Sequence, residues 1–134
     1  MIVVDTNLIG YLYLQATHSS LAEQAWRKDP EWAAPLLWRS ELRNVLARYM
    51  RRRWLLLGDS QQIMAAALSL MEAHEYDIAS DHVLRLVAES SCSAYDCEFV
   101  ALAQELGAPL VTMDKQVLKG FPGVAVSLSS FVKV

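Results

Sequence analysis

Ready-made cofactor chemistry is scarce in this chain, which has two cysteines and three histidines among 134 residues. Cys92 and Cys97 stand as C-x4-C, which is not a zinc spacing, and they read as buried thiols of a reducing compartment. His18, His74 and His82 show no ligand spacing, so they read as surface or core histidines and no zinc centre is expected. Basic residues are also in short supply, with 12 Lys and Arg against 15 Asp and Glu for a formal charge of −3. That excludes a polycation held to nucleic acid by bulk charge, while leaving room for a local basic patch. No window approaches the ~18 uninterrupted apolar residues of a membrane span. The opening M-I-V-V-D carries neither a basic segment nor a long apolar run, so no signal peptide is expected. Repeats, low-complexity tracts and linkers are missing too. One soluble, cytoplasmic domain over 1–134 is the expectation.

What the chain does have is apolar residues, at 54%. Usual contents are ~45–50%, and the excess fits either a slightly rich core or apolar surface reserved for a partner. Short apolar runs alternate with helical patterns. Ile2-Val3-Val4 reads as a central buried strand ending on Asp5-Thr6-Asn7. Leu8 to Leu14 is a short helix, and a second starts near Thr17, carries Leu21, Ala25 and Trp26, and stops before Pro30. Ala33 to Leu37 is a second strand in which Pro35 restricts pairing to an edge or a strand end. From Leu37 to Trp54 runs the longest helical pattern, with Trp38, Leu42, Val45, Leu46 and Tyr49 on one stripe. Gly58-Asp59-Ser60 breaks it, and the next helix covers Ile63 to Met71. A short segment at Tyr76-Asp77-Ile78 precedes a helix over Ser80 to Glu89, with Val83, Leu84 and Val87 on one face.

The stretch from Ser93 to Asp114 is the most explicit. Ser93 followed three residues later by Asp96 is a helix start; Phe99, Val100, Leu102, Ala103 and Leu106 give helical spacing, and Gly107 ends it. Leu110-Val111 then reads as a buried strand ending on Thr112-Met113-Asp114, and Val124-Ala125-Val126 as a last strand. The alternation predicts an α/β fold, with about four or five short, mostly parallel strands flanked by helices.

Asp5 and Asp114 thus end strands and Asp96 opens a helix. If the two strands are parallel neighbours, all three acids reach the sheet edge where such folds bind ligands. Glu41 lies roughly 80° from the centre of its helix stripe, at the flank of the buried face. Each acid also has a plainer role: Asp5, Asp96 and Asp114 as helix caps or first-turn residues, Glu41 as a partner for Arg43 or Arg48. Clustered carboxylates are costly to keep ionised without a cation, and hard oxygen ligands suit Mg²⁺ or Mn²⁺. Such an ion suggests phosphodiester chemistry. Thr6 and Thr112, beside the strand-end acids, are candidates to orient a carboxylate or the attacking water. Arg48, two turns beyond Glu41, and Arg52 are candidates to hold a phosphate backbone, or equally form a solvated basic helix end facing the helix dipole. Trp26, Trp32 and Trp54 could stack on bases, though they more often pack, and Trp38 belongs to the core stripe.

Taken together, M-I-V-V-D-T-N, L-L-W-R-S-E-L-R-N-V-L, S-A-Y-D and V-A-L-A-Q-E-L-G-A-P-L-V-T-M-D resemble the PIN-domain ribonucleases, and among them the VapC-type toxins of bacterial toxin–antitoxin pairs. The resemblance covers essentially the whole chain. It implies a single PIN-like domain and an Mg²⁺- or Mn²⁺-dependent endoribonuclease. Asp5, Glu41, Asp96 and Asp114 would be its catalytic and metal-holding acids, with Thr6, Asn7 and Thr112 behind them. It also implies an RNA substrate, a small cognate antitoxin and a homodimer. Cys97 stands where a small apolar residue is expected, and Glu98, two positions past Asp96, faces away from the metal set. Two alternatives stay open: a silent PIN-like RNA- or protein-binding module, and a receiver-type phosphoacceptor domain. The receiver would want adjacent acids where this chain has Asp5-Thr6-Asn7, and a lysine just after its last strand.

Overall fold

A computed structural model gives the architecture and describes residues 1–133. β1 (Ile2–Val4) is buried at every position. Each such side chain contributes ~1.5–3 kcal/mol by leaving water. Asp5 has an extended backbone and accepts the Asn7 N–H, so α1 (Thr6–Tyr13) begins at once. α2 (Ser19–Lys28) follows, and then β2 (Trp32–Pro35), with the fully buried Trp32. Pro35 is the last residue of its strand, where its missing N–H is least harmful. α3 (Leu37–Arg51) buries Trp38, Leu42 and Leu46 from the expected stripe. The remaining elements are α4 (Leu57–Met71), β3 (Glu75–Tyr76), α5 (Ser80–Ala88), α6 (Ala94–Leu106), β4 (Leu110–Thr112), α7 (Lys115–Gly120), β5 (Ala125–Ser127) and α8 (Leu128–Lys133).

Two local expectations are corrected. Gly58-Asp59-Ser60 is no break: it lies in the first turn of α4, where the Asp59 carboxylate accepts the Leu56 N–H at 2.9 Å. The chain turns earlier, at Arg53, whose φ of 60° is left-handed. On α5 the buried residues are Val83 and Leu86, while Leu84 is 63% exposed. Leu84 lies one residue, or ~100°, round from Val83 and so leaves the core face.

The sheet has the order β3-β2-β1-β4-β5, and every strand pair is parallel. From β1 the chain steps outward to β2 and β3, then returns past β1 to β4 and β5. Right-handed crossovers therefore put α1–α4 on one face and α5–α7 on the other. Packing agrees: α6 lies on β1, β2, β4 and α5, while α1 packs on α2, α3 and α4. The direction of travel reverses between β1 and β4. An open parallel sheet has its crevice at such a reversal, outside the carboxyl ends of the strands. A receiver domain has the order 2-1-3-4-5, so that alternative is excluded by topology.

The edge strand β3 is held by a polar clamp. Trp38 Nε1 donates to Glu75 Oε2 at 2.8 Å, and Arg39 grips both Glu75 oxygens at 2.6 Å. The Arg39 fork and the Trp38 N–H hold Glu75 below the ordinary carboxylate range. At the other end of the core helix, Gly107 closes α6 with φ 61°. A Cβ there would meet nothing within 4 Å, so only backbone strain opposes a side chain. Gly107→Ala is expected to destabilise by about 1 kcal/mol. Urea unfolding should show a lower midpoint with an unchanged m value.

Candidate active site

The crevice at the β1/β4 reversal is a cleft of about 210 Å³ whose lining includes Asp5, Glu41, Asp96 and Asp114. Four elements deliver these acids. Asp5 follows β1 and Asp114 follows β4, and those strands pair through Val3 with Leu110 and Val4 with Val111. Glu41 comes from α3 on one face of the sheet and Asp96 from the first turn of α6 on the other. Ser93 caps α6 by accepting the Asp96 N–H at 3.1 Å, which fixes where that turn begins.

Hydroxyls hold the acids in place. Thr112 donates to Asp5 Oδ2 at 2.6 Å while its oxygen accepts the Asp114 N–H at 3.0 Å, so one side chain ties both strand ends. Asp5 Oδ1 accepts the Asn7 N–H at 2.7 Å. Thr6 donates to Glu41 Oε1 at 2.7 Å, joining α1 to α3 across 35 residues of sequence. The plainer capping roles coexist with this cluster: Asp114 Oδ1 accepts the Gln116 and Val117 N–H groups and starts α7.

The electrostatics are those of buried acids with like charges nearby. Burial raises Asp5, and the Asp114 charge adds to it against the bonds from Thr112 and Asn7. Burial also raises Glu41, with Asp5, Asp96 and Glu98 adding to it and the Thr6 bond opposing. Asp96 is raised by burial and then by Asp114 and Asp5. Among the described residues none of these acids is in an ion pair, and Arg48 is the only basic side chain in the lining.

This donor set fits a hard divalent ion. It offers carboxylate and hydroxyl oxygens, and neither imidazole nor thiolate lines the cleft. Among the described residues no three acidic, histidine or cysteine side chains are arranged so that they could ligate one ion together. Mg²⁺ is compatible with that, since it binds through one or two carboxylates and retains waters.

Asn7, Thr6 and Thr112 all line the cleft. Arg52 does not: it is the C-cap of α3 and sits over the Trp54 ring at 5.0 Å, outside the lining. Glu98 lines a separate apolar groove with Leu36 and Leu84, so it influences Glu41 without joining the cluster. Cys97 is fully buried and serves as the small apolar residue expected there. Trp32 and Trp38 are core residues, whereas Trp26 and Trp54 are 42% and 60% exposed. The sequence reading missed Asn44, which also lines the cleft; its i+3 spacing from Glu41 was the available signal.

Fold and site together define a parallel α/β domain with a carboxylate-lined cleft at its topological reversal. The chain belongs to the PIN domain family, whose model matches residues 2–122. Ribonuclease VapC3 of Pyrobaculum aerophilum is 28% identical over 126 residues, spanning 92% of this chain and 96% of that protein. Among solved structures, a Pyrobaculum aerophilum protein superimposes with a TM-score of 0.76 at 22% identity, over 98% of this chain and 86% of that one. A toxin–antitoxin complex from Klebsiella pneumoniae gives a TM-score of 0.72 at 22% identity, over 96% of this chain and 98% of that one. No helix among the described residues is long and apolar enough to cross a membrane.

Proposed function

We propose that the protein is an Mg²⁺- or Mn²⁺-dependent endoribonuclease, the toxin of a type II toxin–antitoxin pair, restrained by a small antitoxin. One observation carries the nuclease reading: four carboxylates from separate elements meet in one cleft, and none has a cationic partner among the described residues. Asp5, Glu41, Asp96 and Asp114 would hold the ion between them, one or two directly and the others through its waters. When bound, it supplies charge neutralisation at the phosphodiester and acidifies the attacking water. The chain's own part is positioning. Thr112 and the Asn7 N–H orient Asp5, and Thr6 orients Glu41 through Oε1, leaving Oε2 to accept the water's proton. All four acids are present, which favours the enzyme over a silent binding module.

Kinship to a protein named Ribonuclease VapC3 supports RNA as substrate. The antitoxin and homodimer rest on family resemblance and on apolar surface at the α3–α4 corner, where Trp54, Leu56 and Leu57 are 60%, 75% and 60% exposed. An amphipathic antitoxin segment would find an apolar face there. Cytoplasmic residence follows from this role.

The test is cleavage of a pool of structured cellular RNAs with Mg²⁺ or Mn²⁺ against EDTA, beside Asp96→Asn. Metal-dependent cuts lost in the variant support the assignment; cuts that survive EDTA or the variant overturn it. The Thr6 bond gives a finer measure. Thr6→Val keeps the shape but removes the one hydrogen bond to the Glu41 carboxylate among the described residues. It is expected to lower metal-dependent kcat/KM by ~10–100-fold with little change in unfolding midpoint.

A further inference from the structure

We infer that the cleft-facing side of α3 is a track for a single RNA strand, on which Arg48 holds a backbone phosphate and Asn44 reads the nucleotide between that phosphate and the acid cluster. This assignment rests on the nuclease reading above. Glu41, Asn44, Val45 and Arg48 recur at i, i+3, i+4 and i+7, and all line the cleft. Along this side the chemistry changes in order, from carboxylate to neutral amide to guanidinium.

A phosphate is repelled by the acids unless an ion intervenes, so Arg48 is the one place in the lining that takes a phosphate unaided. Seven residues of helix put it ~10 Å along the axis from Glu41. That interval accommodates the sugar and base of the intervening nucleotide. The cleft is suited to a base: Val45, Phe99 and Val117 supply apolar surface, and Asn44 supplies an amide able to donate and accept at once. Asparagine reads base edges in just this way, and RNA is read by sequence where its bases are unpaired.

Two other polar side chains of the cleft, those of Thr6 and Thr112, are already engaged, while Asn7 bonds to Asp5 through its backbone N–H alone. Thr6 and Thr112 bond to Glu41 and Asp5. Asn44 and Arg48 are exposed and, among the described residues, their side chains have no intramolecular hydrogen bond or ion pair. They are ready for a ligand without breaking anything.

The experiment uses the full chain and a library of short single-stranded RNAs with randomised sequence. Binding is followed by fluorescence anisotropy over a salt series with Mn²⁺, in an Asp5→Asn background that does not cut. Cleavage is followed in otherwise wild-type protein by sequencing the products. Arg48→Ala should weaken binding for all sequences alike and reduce the salt slope by about 0.7, the value for one phosphate contact on a single strand. Arg48→Lys should keep the slope. Asn44→Ala should keep the slope but flatten the preference at one position beside the cut, by roughly 5- to 150-fold.

Unchanged preference in Asn44→Ala, or an unchanged slope in Arg48→Ala, overturns the track while leaving the nuclease intact. A folded wild type that neither binds nor cuts the library with metal overturns the nuclease reading, and the track falls with it.

Discussion

Replacing Asp5 with asparagine is expected to lower metal-dependent RNA cleavage by more than ~100-fold, beyond the effect of losing a supporting residue, and to make the metal-free protein more stable. The two effects have one cause. Asn is nearly the same shape, and its carbonyl oxygen can still accept the Asn7 N–H that caps α1. Its amide can donate to the Thr112 oxygen, which has a second lone pair beside the one taken by the Asp114 N–H. Only the charge is lost. That charge is raised out of its ordinary range by burial and by Asp114, so removing it relieves desolvation and repulsion together. Stabilisations of this kind are ~0.5–2 kcal/mol, or roughly 2–8 °C in Tm for a domain of this size. Cleavage of a labelled RNA and thermal unfolding in EDTA measure the pair. A variant that cuts normally, or melts below the metal-free wild type, would show that Asp5 is a structural cap and not the centre of the site.

Asp5 also shows how much of this molecule is legible from its sequence. The strand Ile2–Val4 and the acid ending it are local facts, as are the Ser93 start and Gly107 stop of α6. Asp96 and Asp114 take their places from such signals alone. The meeting of Asp5 and Asp114 additionally needs β1 beside β4, which the parallel pairing supplies. What local patterns do not carry is contact between distant elements. The Thr6–Glu41 bond depends on α1 packing against α3. Arg53 adopts a left-handed backbone with an ordinary side chain. Nothing in its residue type marks the corner, whereas Gly58 carries the mark and does not use it. Leu84 is apolar yet exposed, because one step of helix rotation takes it off the core. Asn44 went unremarked because a single amide on a helix means nothing until the cleft beside it is known.

The charge cluster makes a second prediction, in the pH dependence of stability with and without metal. Asp5, Glu41 and Asp96 are all raised above their ordinary values, chiefly by burial. The folded protein therefore holds more protons than the unfolded chain between ordinary carboxylate values, ~3.9–4.3, and the raised ones. Their contribution is fully present below the unfolded pKa and is lost as pH rises through the folded pKa. Glu75 has the opposite sign: its lowered pKa gives stability above the unfolded value that is lost as pH falls through the folded one. The clean observable is thus the difference between wild type and Asp5→Asn, not the wild-type curve alone. In EDTA the stability advantage of the variant should grow from pH 5 to pH 8. A saturating divalent ion should reverse the ordering at pH 8, because it binds the ionised acids of the folded wild type. An ion at 100 times its Kd adds about 2.7 kcal/mol, and chelation should remove it. The increment should shrink toward pH 5 as protons compete for the same oxygens. A metal-induced shift equal at both pH values, or equal in wild type and Asp5→Asn, would place the ion away from these acids.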